Sequence, residues 1–275
     1  MDNLSTGCIE NINPKATFIK MDIQDKKIED IFKKIKFDVV NHHAAQIDVR
    51  KSVDEPIFDA SVNILGALNI YENCRKHGVK KVIFISSGGA IYGECDVPKD
   101  ENADKDPISP YGITKYTNEF YVKFYANIYG LKYTILRYAN VYGPRQNPKG
   151  EAGVVSIFST RMLAGEDIFI YGDGNQKRDY IFVGDVVKAN LKSLHLENND
   201  VFNIGTEKMT SVNDLFEDMA AVYGYGKQPK YLAKRNGELE QSVLNISKLR
   251  QIFKIEPIAL KNGLEITAEY YKNLK

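Results

Sequence analysis

A tyrosine and a lysine four residues apart can transfer a proton if both stand on one helix face. Tyr111 and Lys115, in Ser109-Pro110-Tyr111-Gly112-Ile113-Thr114-Lys115, have that spacing. A free tyrosine titrates near 10, and a neighbouring ammonium favours its phenolate. The spacing alone carries little: a chain this rich in Tyr and Lys yields about one or two such pairs by chance. Tyr223 with Lys227 and Tyr271 with Lys275 are two more. Context separates the first pair. Ser109 suits a helix N-cap and Pro110 the first helical position. Upstream, Lys80-Lys81-Val82-Ile83-Phe84-Ile85-Ser86-Ser87 reads as a buried strand ending in two hydroxyls. A strand end, a loop and a helix start could bring Ser87 to Tyr111. One of the other pairs is glycine-rich and the other lies on a polar C-terminal helix face.

The elements that must hold this pair alternate strand and helix, as parallel α/β folds do. Ala16 to Ile23 reads as a strand. Lys27 to Ile35 has helical spacing of Ile28, Ile31, Phe32 and Ile35. Phe37 to Asn41 is a short buried strand. Pro56 to His77 is a long helix with Val62, Leu65 and Leu68 inward and Gly78 as its stop. Tyr133 to Tyr138 is the strand after the Tyr111 helix. Beyond the loop Gly143 to Pro148 the pattern is more mixed: a helix from Val154 to Leu163, a strand from Ile168 to Tyr171, a helix from Val183 to His195, a strand from Val201 to Ile204, a helix capped by Ser211 and a last helix near Ile266. The expected fold is an α/β, Rossmann-type doubly wound parallel sheet, N-terminally truncated, with a smaller α/β substrate domain. Residues 1–145 with 181–206 are assigned to the first and 146–180 with 207–275 to the second.

At 275 residues and 43% hydrophobic the chain can bury a large core. A net charge of +1 gives no reason to invoke nucleic acid or a membrane surface. No apolar run approaches the roughly 20 residues that span a bilayer, and Met1 to Ser5 lacks the apolar core of a signal peptide. Cys8, Cys74 and Cys95 read as reduced cytoplasmic thiols, and His42, His43, His77 and His195 make no metal-ligand spacing.

Taken together, these residues resemble the extended short-chain dehydrogenase/reductases, closest to the UDP-glucose 4-epimerase branch, over essentially the whole chain. The resemblance implies NAD as cofactor. Asp2-Asn3-Leu4-Ser5-Thr6-Gly7 resembles the end of the second strand, where an acidic residue binds the adenosine ribose. Asp22-Ile23 is similar to the pair beside the adenine. His42-His43-Ala44-Ala45-Gln46 is similar to the loop under the pyrophosphate and nicotinamide ribose, and Asn63 to an asparagine supporting the active-site backbone. Leu136 to Arg145 is a close motif match in which Asn140 fits the residue at the sugar-nucleotide phosphates. Gly153-Val154-Val155 resembles the helix start over the nucleobase. Arg178-Asp179-Tyr180 and Arg235-Asn236-Gly237-Glu238 resemble the segments whose two arginines grip the diphosphate, with a carboxylate near the ribose. By the same resemblance Tyr111, Lys115 and Ser87 are catalytic, with no metal. The substrate is a UDP-sugar or another nucleotide sugar, and the complete protein is a homodimer.

Two features depart from the family. Its Gly-x-x-Gly-x-x-Gly turn should precede everything else, and nothing precedes Met1. The expectation is a fragment, or a frame started at an internal Met, with an apolar strip exposed beside Val39 and Val40. The family's catalytic Ser or Thr also stands four residues before the Tyr of Tyr92-Gly93, where this chain has Gly88; Ser87 is one residue off. Gly88-Gly89-Ala90 lacks the Asp-Glu pair of the 4,6-dehydratases, which disfavours dehydration. C4 epimerisation of a nucleotide-linked hexose is the leading expectation. Other epimerases, reductases or decarboxylases of the family, or an impaired remnant that only binds sugar nucleotide, stay open.

Overall fold

The computed structural model describes residues 1–148, 153–235 and 239–274. α1 (Ile28–Lys34) leads into β1 (Val39–His42). α2 (Val49–Asp54), α3 (Pro56–Ala60) and α4 (Ala67–Lys76) follow, the last two joined by a π-type turn over Ser61–Gly66. Next come β2 (Lys81–Ser87), the short α5 (Gly88–Ile91) and the long α6 (Pro110–Tyr129). β3 (Lys132–Tyr138), β4 (Asn140–Tyr142), α7 (Val154–Ala164), β5 (Phe169–Tyr171), β6 (Lys177–Arg178) and β7 (Tyr180–Phe182) continue the chain. α8 (Val183–Ser193), β8 (Asp200–Ile204), β9 (Thr210–Ser211), α9 (Val212–Tyr223), β10 (Lys230–Leu232), β11 (Gln241–Ser242) and α10 (Leu260–Lys272) complete it.

β1, β2, β3 and β8 form one parallel sheet in that order. Side chains along β2 alternate between two apolar layers. Val82 and Phe84 pack with Phe32, Ile70, Tyr71, Val122 and Tyr125 of α1, α4 and α6. Ile83 and Ile85 pack with Val186 and Ala189 of α8. Burial on both faces is why this strand reads as a continuous apolar run. The second lobe gathers α7, α9 and α10 around Phe158, Met162, Leu215, Phe216, Met219 and Leu264. Among the described residues no helix is long and apolar enough to cross a membrane.

Three expectations change. The Ala16 to Ile23 strand is reduced to a single bridge between Asp2 and Lys20, carried by the backbone hydrogen bonds from Asp2 N to Ile19 O and from Met21 N to Asp2 O. A strand persists through its ladder, and no described strand lies between this segment and β1. Leu65 points outward, 62% exposed. The inward stripe is Asn63, Gly66, Ala67, Ile70, Tyr71 and Cys74, so a polar asparagine takes the place expected for a leucine. Finally, Leu244, Ile246, Leu249, Phe253 and Ile255, expected in the second lobe, pack under the sheet against Ile83, Leu136 and Phe202. Val39 and Val40, at the outer strand, are half-buried, each packed against one of the two apolar layers.

Candidate active site

Ser109 caps α6 by accepting a hydrogen bond from Gly112 N at 3.2 Å, and Pro110 follows at the first turn. Ser52 Oγ of α2 accepts from Tyr111 N at 3.1 Å, which ties the helix start to the neighbouring element. Gly112 lets this start press onto α5: an added Cβ would meet Ala90 O at 2.6 Å. That close approach brings Tyr111 to the end of β2.

There the two serines diverge, as successive residues of a strand must. Ser86 turns inward and donates to Glu119 Oε1 at 2.6 Å. Ser87 faces the Tyr111 side chain and works against the rise of its pKa. Lys115, 4% exposed, donates from Nζ to Ile85 O at 2.9 Å and sits 5.8 Å from the Tyr111 ring centroid. Tyr111, Lys115 and Ser87 therefore meet at the carboxyl end of β2, where ligands bind in open α/β sheets.

Gly88 explains the displaced serine. A Cβ there would lie 2.5 Å from Leu244 Cδ1 and 2.9 Å from Cδ2. Leu244 fills the space a side chain at 88 would need, so the hydroxyl beside Tyr111 comes from the preceding residue.

The electrostatics depart from the sequence expectation. Burial pushes the Tyr111 hydroxyl up to about 12; Ser87 opposes this and the Asp59 charge adds to it. Burial prevails, so the protein alone holds a phenol. Burial pulls the Lys115 ammonium down to about 8, with Asp59 opposing. A group titrating there is poised near neutrality, as catalytic sites require.

Around this centre Asn63 clamps the Gln46 backbone, accepting from its N–H at 2.8 Å and donating to its carbonyl at 3.0 Å. Ala44 is exposed and Ala45 half-buried beside it. At the N-terminus Asn3 donates to Asp22 Oδ2 at 2.7 Å, and Asp2 lies exposed on the bridge to Lys20. Two expected cofactor contacts turn away. Ile23 is 7% exposed and packs in the core with Ile70, leaving only its backbone for a ligand. His42, 5% exposed, lies 6.0 Å from each of the Tyr71 and Phe84 rings. Burial, with Lys115 nearby, lowers it to about 3. Strand alternation puts His43 on the other side, 3.2 Å from Asn190 Oδ1.

Asn140 is exposed and leans over α5, with Oδ1 3.3 Å from where a Gly89 Cβ would stand. Val154 is half-buried at the start of α7, while Val155 is 1% exposed and belongs to the second core, so its side chain is withdrawn. Arg178 donates to the carbonyls of Lys177, Glu240 and Leu239. Arg235 stacks on the Tyr171 ring at 3.4 Å. Glu238 lies outside the described residues.

The sequence reading missed Asp59 and Thr114, which join Asn63 and Gln46 beneath the pair. The signal was present: Asp59 is four residues before Asn63, and Thr114 three after Tyr111, each on the same helix face as its partner.

Residues 1–205 match the NAD-dependent epimerase/dehydratase family. The chain belongs to that family. A putative UDP-glucose 4-epimerase of Methanocaldococcus jannaschii is 47% identical over 99% of this chain and 90% of that protein. A UDP-glucose 4-epimerase of Mycolicibacterium smegmatis is 40% identical over 99% and 90%. The crystal structure of UDP-glucose 4-epimerase with UDP-glucose from Thermotoga maritima aligns with a TM-score of 0.97 at 49% identity, covering 99% of this chain and 90% of that one. The Thermus thermophilus UDP-glucose 4-epimerase complex with NAD aligns with a TM-score of 0.93 at 39% identity, covering 98% and 89%.

The family's cofactor is NAD, and the residues here fit its two ends. Asp2 offers an exposed carboxylate suited to ribose hydroxyls. Lys115 is an ammonium with three donors, one of them directed at Ile85 O. The diphosphate cradle is a different matter. Gly88 follows a strand and opens a helix, but the direction of its missing side chain faces Leu244.

Proposed function

We propose that this protein inverts C4 of a UDP-linked hexose, interconverting UDP-glucose and UDP-galactose through a transient 4-keto sugar. The observation that carries the reading is the meeting of Tyr111, Lys115 and Ser87 at one strand end, with Lys115 Nζ 5.8 Å from the tyrosine ring centroid and donating to Ile85 O. The UDP-glucose complex of the Thermotoga maritima relative supports the choice of nucleotide.

Asp2, Asn3 and Asp22 would hold the adenosine end of NAD, and Ala44, Ala45 and Lys115 the nicotinamide ribose. Bound NAD supplies a hydride acceptor and a positive charge. Tyr111 would release its proton to solvent, favoured by the positive charge of bound NAD, and the phenolate would then take the proton of the C4 hydroxyl as the hydride leaves that carbon. Ser87 orients the hydroxyl. The Lys115 ammonium would favour the phenolate that must exist before this transfer, since burial alone pushes the Tyr111 hydroxyl up to about 12. The 4-keto sugar turns over while its diphosphate stays fixed, and Tyr111 returns the proton after hydride reaches the opposite face. Arg178 and Arg235 are the groups for the diphosphate, Asn140 stands nearby, and the backbone at Val154 and Val155 faces the base. Holding the nucleotide still while the sugar rotates keeps both faces within reach of one redox centre.

The complete assembly we propose is a homodimer. Ile113, Phe120, Phe124 and Ile128 form an apolar stripe along α6, from 46% to 62% exposed. Ile57, Phe58 and Leu65 extend it across the neighbouring helix, Ile57 being 86% exposed. Such a patch on two adjacent parallel helices, where Asp59 meets Thr114, Asn63 meets Asn118 and Glu72 meets Tyr125, suits a second copy of itself, closing a four-helix bundle.

The test is product analysis of purified protein with added NAD and UDP-galactose, alongside Tyr111→Phe. Conversion to UDP-glucose that Tyr111→Phe abolishes supports the reading. No inversion of any UDP-hexose offered tells against it.

A further inference from the structure

Asp59 is 0% exposed, and none of its hydrogen-bonding partners is charged. Its Oδ1 accepts from Gln46 Nε2 and from Asn63 Nδ2, each at 3.0 Å. Its Oδ2 accepts from Thr114 Oγ1 at 2.9 Å.

The direction of the first two bonds is fixed by the backbone. Asn63 Oδ1 receives the Gln46 N–H at 2.8 Å, and a backbone N–H can only donate. The Asn63 amide must therefore turn its NH2 toward Asp59. Gln46 Oε1 likewise receives the Asp48 N–H at 2.5 Å, which turns the Gln46 NH2 the same way. One carboxyl oxygen with two locked N–H donors is the arrangement an ionised carboxylate wants and a protonated one wastes.

Lys115 follows Thr114 directly in α6, so its stem begins one residue from the hydroxyl that Asp59 holds, and its Nζ donates to Ile85 O at the end of β2. The titratable groups whose charge bears on it are Tyr111 from its own helix, His42 and His43 from the end of β1, and Asp59 from α3. Tyr111 is a phenol and His42 a neutral imidazole at physiological pH. His43 is lowered too. Among these groups Asp59 is the anion.

We propose that Asp59 is a positioning residue of the active site: its buried carboxylate, locked by Gln46, Asn63 and Thr114, is the fixed counter-charge that keeps Lys115 an ammonium. Burial drives the Lys115 proton off, and Asp59 is the group that opposes it. Burial also raises the Asp59 carboxyl, while Thr114, Gln46 and Lys115 lower it. The inference rests on the reading of Tyr111 and Lys115 as the reacting pair, and it explains how an amine closed off from water stays charged.

The test follows Lys115 directly. The full chain is labelled with lysine carrying 13C at Cε and titrated by NMR; the resonance missing from Lys115→Met identifies Lys115. The wild type is expected to titrate at about 8. Asp59→Asn should titrate about one pH unit lower, and Asp59→Glu close to the wild type. Asp59→Asn can keep all three partners, because Thr114 Oγ1 also lies 2.9 Å from Tyr111 O and can donate there while accepting the new amide. If Asp59→Asn does not fold, Asp59→Ser removes the same charge with less volume and is read in the same way. An unchanged Lys115 titration in the neutral variant overturns the proposal. In the active enzyme, the upper pH limit of C4 inversion should fall with the NMR value while KM is unmoved. If the wild type inverts no UDP-hexose, the epimerase reading fails, and the NMR titration still decides the role of Asp59.

Discussion

Lys115→Met should make the protein more stable while destroying its catalytic pair. Lys115 is 4% exposed, and burial pulls it from 10.5 to about 8. A shift of that size corresponds to about 3 kcal/mol of penalty for holding the charge in the folded state. Methionine keeps the unbranched stem and needs no such charge. Two losses offset the gain. Ile85 O loses its donor, worth about 1 kcal/mol, and Asp59 loses the cation that opposes its own burial. A net stabilisation of about 1–2 kcal/mol at pH 7 remains. The sign with pH follows from linkage. The folded protein releases this proton more readily than the unfolded chain does. The penalty is therefore complete below about pH 8 and vanishes as pH climbs through the unfolded value of 10.5. Urea unfolding followed by far-UV circular dichroism, at pH 7 and again at pH 10, measures both points. The variant should unfold at higher urea at pH 7, and the difference should narrow by pH 10. Equal or lower stability at pH 7, or a difference that does not narrow, would refute the buried-ammonium argument.

Other perturbations separate the parts of the site. Ser87→Ala should lower kcat for C4 inversion by roughly 10- to 100-fold with little change in KM, since the hydroxyl assists the proton transfer; an unaffected rate removes Ser87 from the mechanism. Gly88→Ser should cost about 1–3 kcal/mol in thermal unfolding, because its Cβ would meet Leu244 Cδ1 at 2.5 Å. Adding Leu244→Ala should then recover part of that loss. Glu119→Gln should destabilise by about 3–5 kcal/mol, because it leaves Arg137, 1% exposed, without the carboxylate that accepts from its Nε at 2.9 Å and its Nη2 at 2.6 Å. Phe124→Glu, placed in the apolar stripe of α6 where Phe124 is 46% exposed, should turn a dimer into a monomer in sedimentation velocity. A monomeric wild type would remove the proposed bundle instead.

Much of the sheet was legible because its signals are local. β2 is apolar on both faces, and that shows as an unbroken run. The start of α6 shows as Ser-Pro, and its end as Gly130, which takes the left-handed conformation at φ 70°. Elements that depend on distant partners were not legible. The Ala16 to Ile23 segment has strand composition, but composition does not supply a neighbour to ladder with. Leu65 has core chemistry yet faces outward, since the stripe that meets α6 runs through Asn63 and Ala67. Leu244 to Ile255 lies late in the chain and packs beneath the early sheet. That return depends on contacts such as Phe253 against Phe202, with ring centroids 4.6 Å apart, and a one-dimensional pattern does not hold them.

The site divides along the same line. Tyr111 and Lys115 could be found because a helix makes residues four apart into neighbours. Ser87 could be found because a strand end must lie near the helix that follows. Asp59 breaks neither rule: it stands at the same spacing from Asn63 as Lys115 from Tyr111. What concealed it was its partner set, since Gln46, Asn63 and Thr114 come from a loop and two separate helices. Its carboxylate only gains meaning once two backbone N–H groups fix the amides that point at it. The displaced serine follows the same logic. Position 88 holds glycine because Leu244, 156 residues later, occupies the space above it. The reacting groups were thus written in local spacing, while the groups that set their charge and exclude alternatives were written in contacts between distant parts of the chain.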